Sequence, residues 1–219
     1  MKSIHNLLFT IKHINEYCLI KCFYYNFISR KVKRDKQSFI FIKRKCHIKI
    51  YKNGKIYITK SNIYLNHSFN DILTYAWVKI GENAVWEING DATINGACIN
   101  LWKDSFFSSK EFSVSCLTKI NIQKKMIFGN NVIIARNCYI ADTNSHHIYK
   151  NGKEKEEFGE VIIGDDVWIC ASAFILKNSN IGSNSIISCG TTISFTTPPN
   201  TIVGTNKDLY YSPIDTWKK

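Results

Sequence analysis

A polar stretch in the second half of the chain carries side chains that can move protons. Asp142 is followed four residues later by His146, with His147 beside it, and charged residues continue as far as Glu160. A histidine titrates near neutral pH and can act as a general base, and a nearby carboxylate can accept from the imidazole and orient it. Taken alone, the histidine pair fits a solvated, inert loop equally well, and Asp142 fits a turn.

Apolar residues on both sides of this stretch recur every six positions. They are Ile122, Phe128, Ile134 and Ile140 before it, and Ile163, Ile169, Ile175, Ile181, Ile187 and Ile193 after it. A period of six matches neither an amphipathic helix nor an ordinary hairpin meander. It matches a triangular prism of short strands, in which three hexads close one coil and coils stack about 4.8 Å apart. The sequence therefore predicts a parallel β-helix, an all-β solenoid, with an inserted loop at 142–160.

Two motifs carry a resemblance to a known family. The strings Ile163-Gly-Asp-Asp-Val-Trp-Ile169 and Pro198-Pro-Asn-Thr-Ile-Val-Gly204 flank the later hexads and resemble the hexapeptide-repeat acyltransferases. Within that superfamily, Asp142-Thr-Asn-Ser-His-His-Ile-Tyr149 resembles the motif of the cell-surface polysaccharide and sialic acid O-acetyltransferases, roughly D-x-D-x-H-P-I. The resemblance covers residues 80–206.

The resemblance implies a left-handed β-helix that assembles as a homotrimer, uses acetyl-CoA as co-substrate and needs no metal. It implies His146 as the catalytic base with Asp142 as its partner. His147 stands where the family has proline and is the alternative base, and Asn144 replaces the second aspartate of the motif. The residues that it implies for cofactor binding are Trp168, Ala171, Cys189 and Gly190. The usual basic residue after the last hexad is Phe195 here, so Lys207 is the candidate for the phosphate contact instead. A packing role for Trp168, and small residues at tight corners, are the alternatives.

The function expected from these motifs is acetyl-CoA-dependent O-acetylation of a bacterial cell-surface glycan, such as capsule, O-antigen or sialic acid, in polysaccharide biosynthesis. In the expected reaction a histidine base assists direct acyl transfer to a hydroxyl group. Two alternatives stay open. One is N-acetylation of an amino sugar nucleotide, and the other is a catalytically silent β-helix that serves as a binding scaffold.

Positive charge is concentrated at the start of the chain. Residues 1–60 carry 15 Lys and Arg against Glu16 and Asp35, whereas the rest of the chain is nearly neutral within a net charge of +12. Apolar residues at helical spacing predict a basic amphipathic helical segment over 1–45, before a β-helix domain at 46–206 and a tail at 207–219. The segment could cap the solenoid, lie on an anionic membrane or attract a polyanionic glycan. Nucleic-acid binding is not expected, because no recognised module accompanies the charge.

Other features of the sequence limit its location and chemistry. No apolar run approaches the roughly 18 residues that span a bilayer, and the N-terminus lacks a signal-peptide pattern. We expect a cytoplasmic protein, with contact to the inner face of the membrane as an alternative. The eight cysteines show no metal-ligand or C-x-x-C spacing, so reduced structural thiols are expected.

Overall fold

The computed structural model describes residues 2–66, 75–146, 148–150, 153–205 and 209–213. The chain begins with helix α1 (Lys2–Lys12) and the short helix α2 (Leu19–Phe23), which continues into a π-helical turn at Tyr24–Ile28. Every later element in the described part of the chain is a short strand, and three parallel sheets form the body of the molecule.

Each sheet takes one strand from every coil, so that neighbouring strands in a sheet come from successive coils. Sheet 1 contains, in spatial order, β1 (Val32–Arg34), β4 (Lys55–Ile58), β7 (Val85–Ile88), β10 (Phe106–Ser109), β13 (Lys125–Phe128), β18 (Val161–Ile163), β21 (Asn180–Ile181) and β24 (Thr196–Thr197). Sheet 2 contains β2 (Phe39–Ile42), β5 (Asn62–Leu65), β8 (Ala92–Ile94), β11 (Phe112–Val114), β14 (Val132–Ile134), β19 (Val167–Ile169), β22 (Ser185–Ile187), β25 (Thr201–Thr205) and β26 (Leu209–Pro213). Sheet 3 contains β3 (Cys46–Ile50), β6 (Ala76–Ile80), β9 (Cys98–Leu101), β12 (Lys119–Ile122), β15 (Tyr139–Ala141), β20 (Phe174–Ile175) and β23 (Thr192–Ile193).

The strand register confirms the solenoid predicted from the hexads. Ile163 pairs with Ile181 in sheet 1, so one coil takes three hexads there. The ten predicted ladder residues are each at most 1% exposed. Their burial is the main stabilising term of the fold, because each coil removes one large aliphatic side chain per face from water. The predicted fold class, a left-handed parallel β-helix with an N-terminal helical segment, is confirmed.

Asparagine and aspartate shape many of the corners between faces. Asn131, Asp166, Asn184 and Asn200, for example, all have φ between 54° and 57°, a left-handed conformation that these two residue types tolerate better than most. Their side chains also join successive coils, as Asn131 Nδ2 donates to Asp166 Oδ1 over 2.8 Å. The corners are therefore held by polar ladders outside the aliphatic core.

The N-terminal segment closes one end of the solenoid. The buried side chain of Asn26 donates to the carbonyl of Ile40 and accepts from its N–H, each over 2.9 Å. The hydroxyl of Tyr25 donates to the carbonyl of Ile48, and Cys22 is fully buried. Of the three roles that the sequence left open, the structure shows the cap. The other two roles concern the outer surface of the cap.

The solenoid begins earlier than the boundary drawn at residue 46. Strands β1 and β2 lie inside the predicted helical segment 1–45 and already pair with β4 and β5. Val32 and Phe39 point into the core, while Lys33 points outward. With three residues, β1 is too short for its alternation of buried and exposed side chains to be recognised in a sequence rich in Lys and Arg. At the other end, β26 pairs antiparallel with β25 within the predicted tail.

Candidate active site

The inserted loop predicted at 142–160 leaves the solenoid between sheet 3 and sheet 1. It starts after β15 and returns before β18, and its two arms are joined by a bridge between Thr143 and Phe158. The Gly159 N–H donates to the Asp142 carbonyl over 2.8 Å, which closes the base of the loop. Farther out, β16 (Ile148–Lys150) and β17 (Lys153–Lys155) form an antiparallel hairpin. The described part of the loop therefore forms an arm on the side of the prism.

His146 lies on this arm and is exposed. The residue before it, Ser145, has φ of 60°, and its N–H donates to the Thr143 hydroxyl over 2.8 Å. This turn sets the direction of the backbone just before His146. Left-handed conformations of non-glycine residues often occur at functional sites. Thr143 and Ser145 were not singled out from the sequence, since nothing in their spacing distinguishes them from ordinary loop residues. His147 lies outside the described residues.

Asp142 is buried at the base of the arm, and its carboxylate faces the preceding coil. It accepts from the backbone N–H groups of Gln123, Lys124 and Lys125, each over 2.8 Å. Burial raises the pKa of Asp142 above its ordinary value, and these three donors oppose the rise. Among the described residues, no hydrogen bond joins Asp142 to His146. The expectation that this carboxylate accepts from the imidazole is therefore not what the geometry shows.

Three of the residues predicted for cofactor binding meet at another corner, between sheet 2 and sheet 3. The Gly190 N–H donates to the Ala171 carbonyl over 3.1 Å, and Cys189 beside it is exposed. Gly190 has φ of 70°, and nothing lies within 4 Å of the place where a Cβ would be. Glycine adopts this left-handed conformation without strain, whereas Ser172 occupies it with φ of 58° in the coil before, and open space remains beside Gly190. We call Ala171, Cys189 and Gly190 the donor corner.

An arginine lies one coil away from the donor corner and was missed in the sequence. The Ser172 N–H donates to the Arg136 carbonyl over 3.1 Å, which stacks Arg136 against this corner, and the Arg136 side chain is exposed. Because a whole inserted loop separates Arg136 from Ala171 in the chain, no local pattern connects them. Lys207, the predicted phosphate contact, lies outside the described residues.

Trp168 lies on β19, on the outer face of sheet 2 just before the donor corner. Its side chain is 39% exposed. Its neighbours in the register are Ile133 in the coil before and Ile186 in the coil after, both on the same outer face. Trp168 therefore belongs to a flat apolar strip beside the donor corner.

His146 and the donor corner lie at opposite ends of the strands of sheet 3 within one chain. The arm follows the C-terminal end of β15, whereas the donor corner comes before the N-terminal ends of β20 and β23. The structure thus brings together Ala171, Cys189 and Gly190, but not these residues with His146. Among the described residues, no cluster of three or more metal-ligating side chains occurs. No described helix combines the length and apolar character needed to cross a membrane.

Comparisons with known proteins agree with the architecture. No protein-family model matches the chain. The polysialic acid O-acetyltransferase OatWY superposes with a TM-score of 0.56 at 18% identity, over 86% of this chain and 90% of that one. The polySia-specific acetyltransferase NeuO gives a TM-score of 0.51 at 15% identity, over 87% and 90% of the two chains. At these identities the similarity concerns the fold.

A sequence relative adds to the structural similarity. The galactoside O-acetyltransferase of Escherichia coli K12 is 36% identical over 77 residues, which are 34% of this chain and 37% of the relative. The resemblance to the hexapeptide-repeat acyltransferases is confirmed. The chain spans little more than a third of the length of this curated relative, so the activity of the whole protein is a separate question.

Proposed function

We propose that the chain is an acyltransferase of the hexapeptide-repeat type that transfers an acetyl group from acetyl-CoA to a hydroxyl of a bacterial cell-surface glycan. The observation that carries the proposal is the placement of His146, which is exposed on an arm that projects from the solenoid. The arm begins at the end of a row of polar residues on sheet 3, which includes Asn100 and Asn121. The names of the sequence relative and of the structural neighbours support acetyl transfer to sugars.

In the proposed reaction His146 is the general base. Its imidazole takes the proton of the acceptor hydroxyl while the oxygen attacks the thioester carbonyl, forming the new C–O bond. Backbone N–H donors stabilise the negative charge that develops on the carbonyl oxygen. The C–S bond then breaks, and the proton goes from the imidazolium to the leaving thiolate of coenzyme A. His147 is the alternative base at the same site.

The donor corner is the proposed site for the pantetheine arm of acetyl-CoA. The small side chains of Ala171 and Cys189, and the open space beside Gly190, let a ligand approach the backbone closely. Trp168 would form a wall, and the Arg136 guanidinium would contact a phosphate of the donor, because arginine binds phosphate through paired N–H donors. Lys207 remains a second proposed phosphate contact.

The outer face of sheet 3 supports a glycan as the acceptor. Trp77 stacks on His47 with ring centroids 4.9 Å apart, and the Lys79 ammonium lies 4.7 Å from the centre of the Trp102 ring. Trp77 and Trp102 are 39% and 47% exposed. Exposed aromatic rings present apolar faces on which sugar rings can stack, and interleaved lysines attract acidic sugars.

This surface leads along the solenoid to the arm of His146. In the register of sheet 3, the residues paired in successive coils away from the cap are Lys79, Asn100, Asn121 and Ala141. Asp142 comes directly after Ala141 in the chain. Asn100 Nδ2 donates to Asn121 Oδ1 over 3.0 Å. We propose that an extended, acidic polysaccharide lies on this row with one hydroxyl at His146.

A homotrimer would complete the site. The flat apolar strip around Trp168 suits a contact with a second copy, since such a strip is unusual on a surface that only meets water. Packing of neighbouring prisms would let His146 of one copy approach the donor corner of another, which a single chain keeps apart. Closed cyclic assembly allows every copy to take both roles.

The test is thiol release from acetyl-CoA by the purified protein, with a panel of neutral and acidic polysaccharides and an amino sugar nucleotide. We expect acceptor-dependent release that falls at least about 10²-fold in His146→Ala, with His147→Ala as the matched control. Loss confined to His147→Ala would place the base one residue later. No release with any acceptor, together with no binding of coenzyme A by calorimetry, would refute the proposal in favour of a silent scaffold.

A further inference from the structure

Helix α1 exposes its apolar stripe to solvent. Ile4, Leu8 and Ile11 follow one another along a single side of the helix and are 63%, 59% and 47% exposed. An adjacent side holds the helix on the solenoid, where Thr10 is fully buried and Leu7 packs against the core. An amphipathic helix normally buries its apolar side, so this arrangement leaves α1 without the partner that its sequence suits.

The rest of the cap extends this apolar surface. Ile20 on α2 is 83% exposed, and the rings of Phe23 and Phe27 touch at a centroid distance of 5.4 Å while remaining 48% and 44% exposed. Single exposed apolar residues are ordinary, but an accumulation of this kind at one end of a small protein marks an interaction surface.

The same end of the molecule carries nearly all of the net positive charge. Its two carboxylates have partners within the same segment. Glu16 forms an ion pair with Lys43 over 2.8 Å, and Asp35 accepts a hydrogen bond from the backbone N–H of Ser38. The exposed cations of this region are Lys12, Arg30, Lys33, Lys36, Arg44 and Lys45. The segment that exposes the apolar residues therefore also exposes most of the cations.

We propose that the cap, residues 2–45, is a peripheral docking surface for a membrane rich in anionic lipids. Apolar side chains on a helix flanked by cations are what binds in the headgroup region of such a bilayer. A second copy of the chain would fit this surface poorly, because it would bring an equal positive charge against the first. With 11 residues, α1 is far too short to span the bilayer and lies along its surface.

Docking at this end would place the candidate active site at a defined height above the lipid. Four strand steps in sheet 3 lead from β3, beside the cap, to β15, at the base of the arm. At about 4.8 Å per step, this is a rise of roughly 19 Å when the solenoid axis stands upright.

The test is flotation of the full chain with vesicles, independent of any enzymatic activity. Vesicles of phosphatidylcholine with phosphatidylglycerol should bind the protein, vesicles of phosphatidylcholine alone should not, and binding should weaken as salt is raised. The double variant Leu8→Glu, Ile11→Glu should lose about tenfold or more in affinity for the anionic vesicles. Leu117→Glu is the matched control, an exposed leucine far from the cap.

Circular dichroism would establish that each variant is folded. The proposal is overturned if the anionic vesicles do not bind the chain, or if the cap variant and the control float equally. It is also overturned if light scattering shows a larger assembly that the cap variant alone dissolves while no vesicle binding occurs, since the partner would then be a second copy.

Discussion

Asp142 illustrates how a side chain in a catalytic motif can act through the backbone. With its two oxygens on three N–H groups of the preceding coil, it fixes the corner from which the His146 arm departs. Under the proposed function Asp142 is a positioning residue whose effect on His146 is indirect, because among the described residues no hydrogen bond joins the two side chains.

Replacement of Asp142 by asparagine tests this role. One amide oxygen cannot replace two carboxylate oxygens, so we expect the free energy of unfolding to fall by about 2 kcal/mol in urea titrations. The rate kcat/KM should fall as well, with no shift in the pH at which the base titrates in the pH–rate profile. A midpoint that moves to lower pH would contradict the indirect role, because it would mean that the lost charge had stabilised the imidazolium.

Cys189 offers a chemical test of the donor corner. It is exposed there, whereas burial raises the pKa of Cys170 and of Cys46 to about 12 each and keeps those thiols unreactive. Saturating acetyl-CoA should slow alkylation of Cys189 about tenfold, as followed by mass spectrometry of the peptides. Cys18, half-buried in the cap, is the internal control. Equal rates at Cys189 with and without acetyl-CoA would place the donor elsewhere.

At the scale of elements, several hydrogen bonds join the cap to the solenoid. The Asn26 side chain donates to Cys22 and Ile40 and accepts from Ile40 while only 7% exposed. It thereby satisfies backbone groups at the open edge of sheet 2 that no further strand reaches. Unsatisfied edge groups of this kind are costly when buried and promote aggregation when exposed.

Asn26→Ala should therefore lower the free energy of unfolding by about 3 kcal/mol, since buried backbone groups lose their partner. Chemical denaturation followed by circular dichroism would measure it. Asn180→Ala, an exposed position on β21, provides a comparison. A change at Asn26 no larger than at Asn180 would show that the cap contributes little to the end of the solenoid.

Leu117 is a corner residue whose side chain does not suit its backbone. It has φ of 62° and is 62% exposed, and the corresponding corner of the next coil has Asn137 at φ of 59°. Left-handed conformations cost a leucine more than an asparagine. Leu117→Asn should raise the free energy of unfolding by about 1 kcal/mol, and Asn137→Leu should lower it by a similar amount. Denaturant midpoints that move in the opposite directions would contradict this explanation.

At the scale of the whole molecule, the separation of His146 from the donor corner predicts a shared site. Co-expression of His146→Ala with Ala171→Trp would mix copies that lack the base with copies whose donor corner is blocked. In a random mixture of ring trimers, one interface in four joins two intact halves, so about a quarter of wild-type activity should return. Isolated mixed trimers that remain inactive would show that each chain contains its own complete site.

The sequence alone determined the solenoid, the position of its inserted loop and the basic start of the chain. These features follow from local periodicity, because a residue six positions from an inward isoleucine must also point inward. The resemblance to the hexapeptide-repeat acyltransferases, and not periodicity, identified His146 and the donor corner as candidates, and their roles stay predictions. The sequence did not reveal β1 and β2 before residue 46, because β1 is a short strand among cations and the four apolar residues of β2 show no alternation.

Only the tertiary structure decided which residues meet between coils. Asp142 reaches Gln123–Lys125, and Arg136 reaches Ser172, because the arm lengthens one coil and shifts every later residue relative to the earlier ones. It also decided that α1 packs through Thr10 and leaves Ile4, Leu8 and Ile11 outside. Periodicity finds an apolar side of a helix, but what that side contacts depends on the shape of the rest of the molecule.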